Sequence, residues 1–103
     1  MTNKMSIETI EENYLKTLNV FVPVVSRVHG ANHPEFFEVK KIYEKMVEKL
    51  EANGFNDKSL KDDFLKLREI TTNYTIPSDV CESFEKVYYL LSELDKEYEL
   101  QNE

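Results

Sequence analysis

The sequence is poor in the residues that build disulfide frameworks and long loops. Its 103 residues include one cysteine, two glycines, three prolines and no tryptophan. A single cysteine cannot form an internal disulfide, so nothing in the sequence indicates an oxidising compartment. The low glycine and proline content, with 41% apolar residues, favours a compact domain over a disordered chain. We therefore expect one folded domain that spans residues 1–103.

Long apolar runs are absent as well. The longest run, VFVPVV, is far shorter than the roughly 20 residues that cross a bilayer. The first residues carry charges throughout and lack the apolar segment of a signal peptide. These features predict a cytoplasmic protein that does not insert into membranes.

The net charge of −7 is concentrated near the C-terminus. From Asp79 onwards there are eight acidic and two basic residues, which account for six of the seven net charges. An acidic field repels phosphate groups, so we expect no binding to nucleic acids or to anionic membrane surfaces. The acidic residues are interpreted as a solvated helix face, with a basic protein partner as the alternative.

Apolar residues recur at intervals of three and four in four segments, the period of amphipathic helices. The pattern predicts helices at 6–29, 34–53, 58–72 and 78–99, with Ser6 as the first N-cap, Pro23 as a kink, and Gly30 and Gly54 as stops. The predicted buried stripes are Ile7, Ile10, Tyr14, Leu18, Phe21, Val25 and Val28; Phe36, Val39, Tyr43, Met46 and Leu50; Leu60, Phe64, Leu67 and Ile70; and Val80, Phe84, Val87, Leu91, Leu94 and Tyr98. Short connections favour an all-α, antiparallel up-down-up-down four-helix bundle.

Some apolar residues exceed what these core-facing stripes need. They are Phe21, Val22 and Val24 in the first helix and Tyr89 and Leu90 in the fourth. An exposed patch of such residues would be covered by a second copy or by another protein. The sequence thus leaves a homodimer or a protein partner open.

Few residues carry recognisable chemistry. No phosphate-binding glycine loop, CxxC pair or HExxH helix is present. Cys81 is interpreted as a partly buried, inert residue, the alternative being a thiol activated by a helix N-terminus. The stretch RVHGANHP holds both histidines, His29 and His33, and Glu35 follows it. These three residues could converge on a weak surface site for Zn²⁺ or Ni²⁺, but we interpret the histidines mainly as helix-end and turn residues.

Two stretches resemble the RIC proteins, the hemerythrin-like di-iron proteins associated with repair of iron–sulfur clusters. One is VVSRVHG followed by a proline and a new helix. The other is REITTNYTIPSDVCESFEKVYYLLSEL, with its Thr-Thr-Asn start, proline, cysteine and later aromatics. The resemblance implies a hemerythrin-like bundle with two irons held by several histidines and two bridging carboxylates. It also implies a metal-ligand role for His29, whose position matches a family histidine.

At the other ligand positions this sequence departs from the family. No histidine occurs in MVEKLEANG, in NDKSLKDDF or near Gln101, where the resemblance would place one. We therefore expect no cofactor and a non-enzymatic, ligand-poor relative that serves as a protein-interaction module in an iron–sulfur or stress-response context. The alternative is a metal-binding repair protein, with iron or another metal at a site completed between subunits. A plain structural bundle is a third interpretation.

Overall fold

The computed structural model describes residues 7–102, with side-chain positions from residue 12 onwards. Within that range the chain forms four α-helices and no strand: α1 (Ile7–His29), α2 (Glu35–Asn53), α3 (Leu60–Thr71) and α4 (Glu82–Gln101). A short 3-10 turn at Gly54–Asn56 follows α2. The predicted all-helical class is confirmed. The predicted cap at Ser6 and the predicted core residues Ile7 and Ile10 involve positions or side chains outside the described part.

The buried face of α1 is rotated from the predicted one. Val28, predicted to lie in the core, is 61% exposed, and Phe21 is only half-buried. Leu18 and Val25 are buried as predicted, and Leu15 and Val22 are buried with them. Because α1 packs against both α2 and α4, its core face is wider than a single three-four stripe and includes Val22. The helix continues through Pro23, which is exposed.

Gly30 follows the last residue of α1 because there is no room for a side chain. Its N–H donates to the Ser26 carbonyl oxygen at 2.9 Å. A Cβ atom at Gly30 would overlap with this oxygen and with the Phe37 ring. The sequence pattern predicts a helix stop at Gly30 because glycine adopts a positive φ without steric cost, but Gly30 does not have a positive φ. Close approach of Phe37 is the physical reason for the glycine.

Gly54 ends α2, as predicted, and here backbone conformation is the reason. Its φ is 58°, in the range that glycine adopts without steric cost, and its N–H donates to the Leu50 carbonyl oxygen. The buried residues of α2 are the five predicted ones and Ile42.

The chain leaves α3 through three consecutive residues with positive φ. Thr72, Asn73 and Tyr74 have φ values of 53°, 56° and 62°. Such a run of non-glycine residues is uncommon, since the left-handed region costs roughly 1 kcal/mol or more for a residue with a Cβ. Hydrogen bonds hold the turn: the Tyr74 N–H donates to Thr71 Oγ1 at 2.8 Å, and Tyr74 Oη donates to Asp95 at 2.7 Å.

The fourth helix begins later than predicted. Glu82 is its first residue and Cys81, with an extended backbone (φ −85°, ψ 174°), is the N-cap residue. The prediction placed the start at Ser78 or Asp79. Asp79 does not cap the helix, because its carboxylate pairs with His33 at 3.0 Å. The predicted core position Val80 is consequently only half-buried.

A single apolar core lies between the helices. Packing contacts join α1 to α2 and α4, and α2 to α3. The residues predicted to be most buried are at most 3% exposed: Phe36, Tyr43, Leu50, Phe84, Leu91 and Leu94. Leu91 in particular is fully buried. The core prediction is therefore confirmed for α2 and α4.

The predicted surface patch is only partly correct. Val22 and Leu90 are core residues, 1% and 5% exposed, because each faces a neighbouring helix. The exposed apolar residues of α1 are Val20, Val24 and Val28, spaced four apart and 61%, 37% and 61% exposed. Tyr89 of α4 is 56% exposed, as the prediction required. No helix in the described part of the chain is long and apolar enough to cross a membrane.

Candidate functional site: a histidine and cysteine cluster at one end of the helices

The end of α1, the start of α2 and the segment before α4 meet at one end of the molecule. The connection from α1 to α2 is tight: the His33 N–H donates to the His29 carbonyl oxygen at 2.8 Å, and the Phe36 N–H donates to the His33 carbonyl oxygen at 2.9 Å. This turn fixes both histidines beside the residues that precede α4. The titratable side chains gathered there, which we call the end cluster, are His29, His33, Glu35, Asp79 and Cys81.

His29 contacts the cysteine. Its Nε2 atom lies 3.1 Å from Cys81 Sγ, a hydrogen-bonding distance for sulfur, although 52 positions separate the two residues in the sequence. Cys81 is exposed to solvent, and no other cysteine exists in the chain. An imidazole beside an accessible thiol is the arrangement that promotes thiolate chemistry in proteins.

The environment of Cys81 favours its thiolate form. The backbone N–H of Phe84, in the first turn of α4, contributes most, and His29 contributes next, so that the pKa of the thiol is lowered to about 7. Unpaired N–H groups and the helix dipole both stabilise negative charge at a helix N-terminus. The interpretation of Cys81 as a partly buried residue is wrong, because α4 starts at Glu82 and leaves the thiol exposed at its N-terminal end.

His33 lies between two carboxylates. Its Nδ1 is 3.1 Å from Glu35 Oε2 and its Nε2 is 3.0 Å from Asp79 Oδ1. Desolvation alone would lower the pKa of His33, but the hydrogen bonds to Glu35 and Asp79 together outweigh it and raise that pKa. The protonated ring can donate to both carboxylates at once. His33 therefore links the start of α2 to the segment before α4.

Phe84 separates the two histidines from the core. Its ring is fully buried, and the centroids of the His29 and His33 rings each lie 5.5 Å from its centroid in edge-on geometry. Edge-to-face contacts of this kind orient imidazole rings as well as phenyl rings. The end cluster is thus a surface feature built on a rigid aromatic base, and it does not extend into the interior.

The three predicted metal ligands are not brought together. His33 contacts Glu35, whereas His29 contacts Cys81 instead of either of them. Within the described part of the chain, no group of three or more His, Cys, Asp or Glu side chains is arranged to hold a metal ion. The sequence interpretation missed Asp79 and the contact of Cys81 with His29. The predicted topology contained the signal, because an up-down bundle places the start of its last helix beside the end of its first.

The described interior does not fit a di-iron centre. Such a centre needs several histidine and carboxylate ligands turned inward between the helices. Among the described buried residues the carboxylates are Asp63 and Asp95, and each is already paired. Asp63 accepts from Lys49 at 2.6 Å, and Asp95 accepts from the Nε atom of Arg68 and from Tyr74 Oη, both at 2.7 Å. The remaining space is filled by apolar side chains.

The chain is similar to an iron–sulfur cluster repair protein. It is 27% identical, over an alignment of 121 positions, to the iron-sulfur cluster repair protein ScdA of Staphylococcus haemolyticus (strain JCSC1435). The alignment covers 87% of this chain and 54% of that protein, so the chain spans about half the length of this relative. No family model matches the chain. No solved structure matches it either.

Proposed function

We propose that this protein is a small, ligand-poor relative of the RIC proteins that supports iron–sulfur cluster repair in the cytoplasm through protein contacts, without acting as an enzyme itself. The observation that carries the proposal is the similarity to an iron-sulfur cluster repair protein over 87% of this chain. A match confined to one helix would reflect composition alone, whereas this one extends across nearly the whole domain.

A hemerythrin-like, antiparallel arrangement is part of the proposal. The contacts between His29 and Cys81 and between His33 and Asp79 bring the end of α1, the start of α2 and the start of α4 together. At the other end, the Asn102 side chain donates to the Phe55 carbonyl oxygen at 3.0 Å. These contacts support an up-down-up-down path of the chain.

The absence of suitable inward ligands supports an interaction role over di-iron chemistry. Where an iron site would need histidines and carboxylates, the described core holds residues such as Met46, Leu67 and Leu91, each fully buried. Installing a metal there would require polar ligands in place of well-packed apolar side chains.

The exposed valines of α1 are the contact surface in this proposal. Val20, Val24 and Val28 form a row along one side of the helix, since residues four apart are neighbours on a helix surface. Rows of exposed apolar residues are typical of surfaces that a partner protein covers. The proposed partner is a protein with a damaged iron–sulfur cluster.

Binding to a damaged cluster protein tests the proposal. A purified [4Fe–4S] dehydratase inactivated by peroxide would be mixed with this protein and analysed by sedimentation velocity. We expect a complex, which Val28→Asp weakens strongly and Leu65→Asp does not. Leu65 is a matched control because it is an exposed apolar residue, 46% accessible, on α3. Failure of the unmodified protein to associate with the damaged enzyme would contradict the proposal.

The alternative function is metal binding at a site completed between subunits, and the pairing of His29 with Cys81 favours it. Imidazole and thiolate are both ligands for zinc and iron, and two copies of the pair would supply the four ligands of a tetrahedral site. In this case metal uptake and dimer formation should occur together and both should be lost in Cys81→Ser. A metal-free monomer at micromolar concentration would exclude it.

A further inference from the structure

A cleft lies beside the start of α2 and separately from the His29–Cys81 pair. It has a volume of about 470 Å³ and is formed by the start of α2, the end of α3, the connection to α4, and α4 itself. The residues that define its chemistry are Glu35, Ile70, Thr72, Thr75, Pro77 and Tyr88. All except Glu35 belong to REITTNYTIPSDVCESFEKVYYLLSEL, the longer of the two stretches that resemble the RIC proteins.

Tyr88 contributes a buried hydroxyl that has no partner among the residues the structure describes. The residue is 1% exposed, and its Oη atom forms no hydrogen bond with any residue in the described part of the chain. Burial, with a smaller effect of the Glu35 charge, raises the pKa of Tyr88, so the hydroxyl keeps its proton. Buried hydroxyl groups are nearly always paired, because an unpaired one loses its hydrogen bonds to water without replacement. A hydroxyl that lines a cleft and has no partner among the described residues is available to a polar atom of a ligand.

Every polar group offered by the cleft can accept a hydrogen bond. Among the described residues Glu35 is the only charged one that lines it, and its Oε2 atom is used by His33, which leaves Oε1 available. The hydroxyls of Thr72 and Thr75 and the phenol of Tyr88 also have free lone pairs. No positively charged side chain from the part of the chain that the structure describes lines the cleft. This combination suits a ligand group with several N–H donors and a positive charge.

The remaining walls of the cleft are apolar and favour an alkyl chain in the uncharged part of the ligand. Ile70 and Pro77 give the cleft apolar surface, and the Tyr88 ring stands on the aromatic base formed by Phe36 and Phe84, with ring centroids 6.2 and 4.7 Å away. An alkyl chain would pack against such walls while a charged head reached the polar groups. We propose that this cleft binds a small primary alkylammonium ion, whose ammonium group pairs with Glu35 and the Tyr88 hydroxyl.

Titration with n-butylammonium, followed by two-dimensional NMR of the labelled full chain, tests the proposal. A ligand of this size should bind with a Kd on the order of 1–10 mM. We expect the largest shifts at Glu35, the residues from Ile70 to Pro77, and Tyr88. Isosteric n-butanol, which lacks the charge, and butyrate, which carries the opposite charge, should bind at least about tenfold more weakly.

Two substitutions and one control locate the site. Tyr88→Phe removes only the hydroxyl and should weaken butylammonium binding by about tenfold or more, and Glu35→Gln should have a similar effect. Tyr89→Phe is the matched control, since Tyr89 does not line the cleft and its side chain is exposed. Circular dichroism melts would establish that each variant is folded.

Selective binding of the ammonium ion, lost in Tyr88→Phe and retained in Tyr89→Phe, would support the proposal. Equal binding of butanol or butyrate, unchanged affinity in Tyr88→Phe, or no shifts at these residues up to about 100 mM ligand, an excess over the expected Kd, would overturn it. The proposal is independent of the repair function, since either result leaves the test with the damaged dehydratase unaffected.

Discussion

Cys81 is the residue whose chemistry depends most on its surroundings. The thiol lies beside one side chain from α1 and at the first backbone N–H groups of α4. Sequence alone could place it near a helix start, but its exposure depends on where α4 begins, which the pairing of Asp79 with His33 decides. A difference of three or four residues in the start of this helix changes a thiol that was predicted to be partly buried into an exposed one.

Thiol reactivity should show this environment directly. In the native protein, the rate of alkylation of Cys81 should rise with pH through a midpoint near pH 7, as expected from a thiol pKa lowered to about 7. His29→Ala should move the midpoint upwards and leave the free energy of unfolding within about 1 kcal/mol, since one exposed contact is lost. A midpoint near the ordinary cysteine value in both proteins would contradict the assignment.

His33 should make stability depend on pH. Its pKa is raised in the folded protein, so its contribution is fully present below the pKa of unfolded histidine, about 6.5, and is lost as pH rises through the folded value. Because the partners are partly exposed, the effect should be at most about 1 kcal/mol. Urea unfolding of the wild type and of His33→Gln at about pH 6 and pH 8 measures it. If the free energy of unfolding of both proteins falls by the same amount between these pH values, a group other than His33 causes the pH dependence.

At the scale of the helices, α2 could be predicted almost completely, whereas the start of α4 and the buried face of α1 could not. Each buried residue predicted for α2 is in the core, because a helix with one dominant apolar stripe has only one way to face inward. The first helix has apolar residues on most of its circumference, and Val22 and Val28 exchange the roles predicted for them. Which faces of α1 are buried depends on its packing against both α2 and α4. The spacing of apolar residues along the sequence does not reveal this packing.

Leu91 tests the core at the level of α4. The side chain is fully buried, and Leu91→Ala should lower the free energy of unfolding by about 2–5 kcal/mol through lost burial and a residual cavity. Leu100→Ala is the control, because Leu100 lies on the same helix but is 61% exposed. Its effect should stay within about 0.5 kcal/mol. Chemical denaturation of both variants makes the comparison, and equal effects would mean that the core has been misplaced.

At the scale of the whole molecule, the sequence predicted the helical class better than the site. Helical periodicity is a local property, and so is the lack of histidine on a segment. The end cluster depends on contacts such as that of His33 with Asp79, between residues 46 positions apart. The unpaired Tyr88 hydroxyl could not be predicted either, since whether a hydroxyl finds a partner depends on the packed structure around it.

Iron content is the measurement that tests the account most directly. The protein would be purified without chelator, incubated anaerobically with excess ferrous iron, desalted and analysed for iron per chain. Because the described interior offers paired carboxylates and apolar side chains in place of ligands, we predict no stoichiometric iron and no absorption from an oxo-bridged pair. Two tightly bound irons per chain, lost in His29→Ala, would contradict the account and restore di-iron chemistry to this protein.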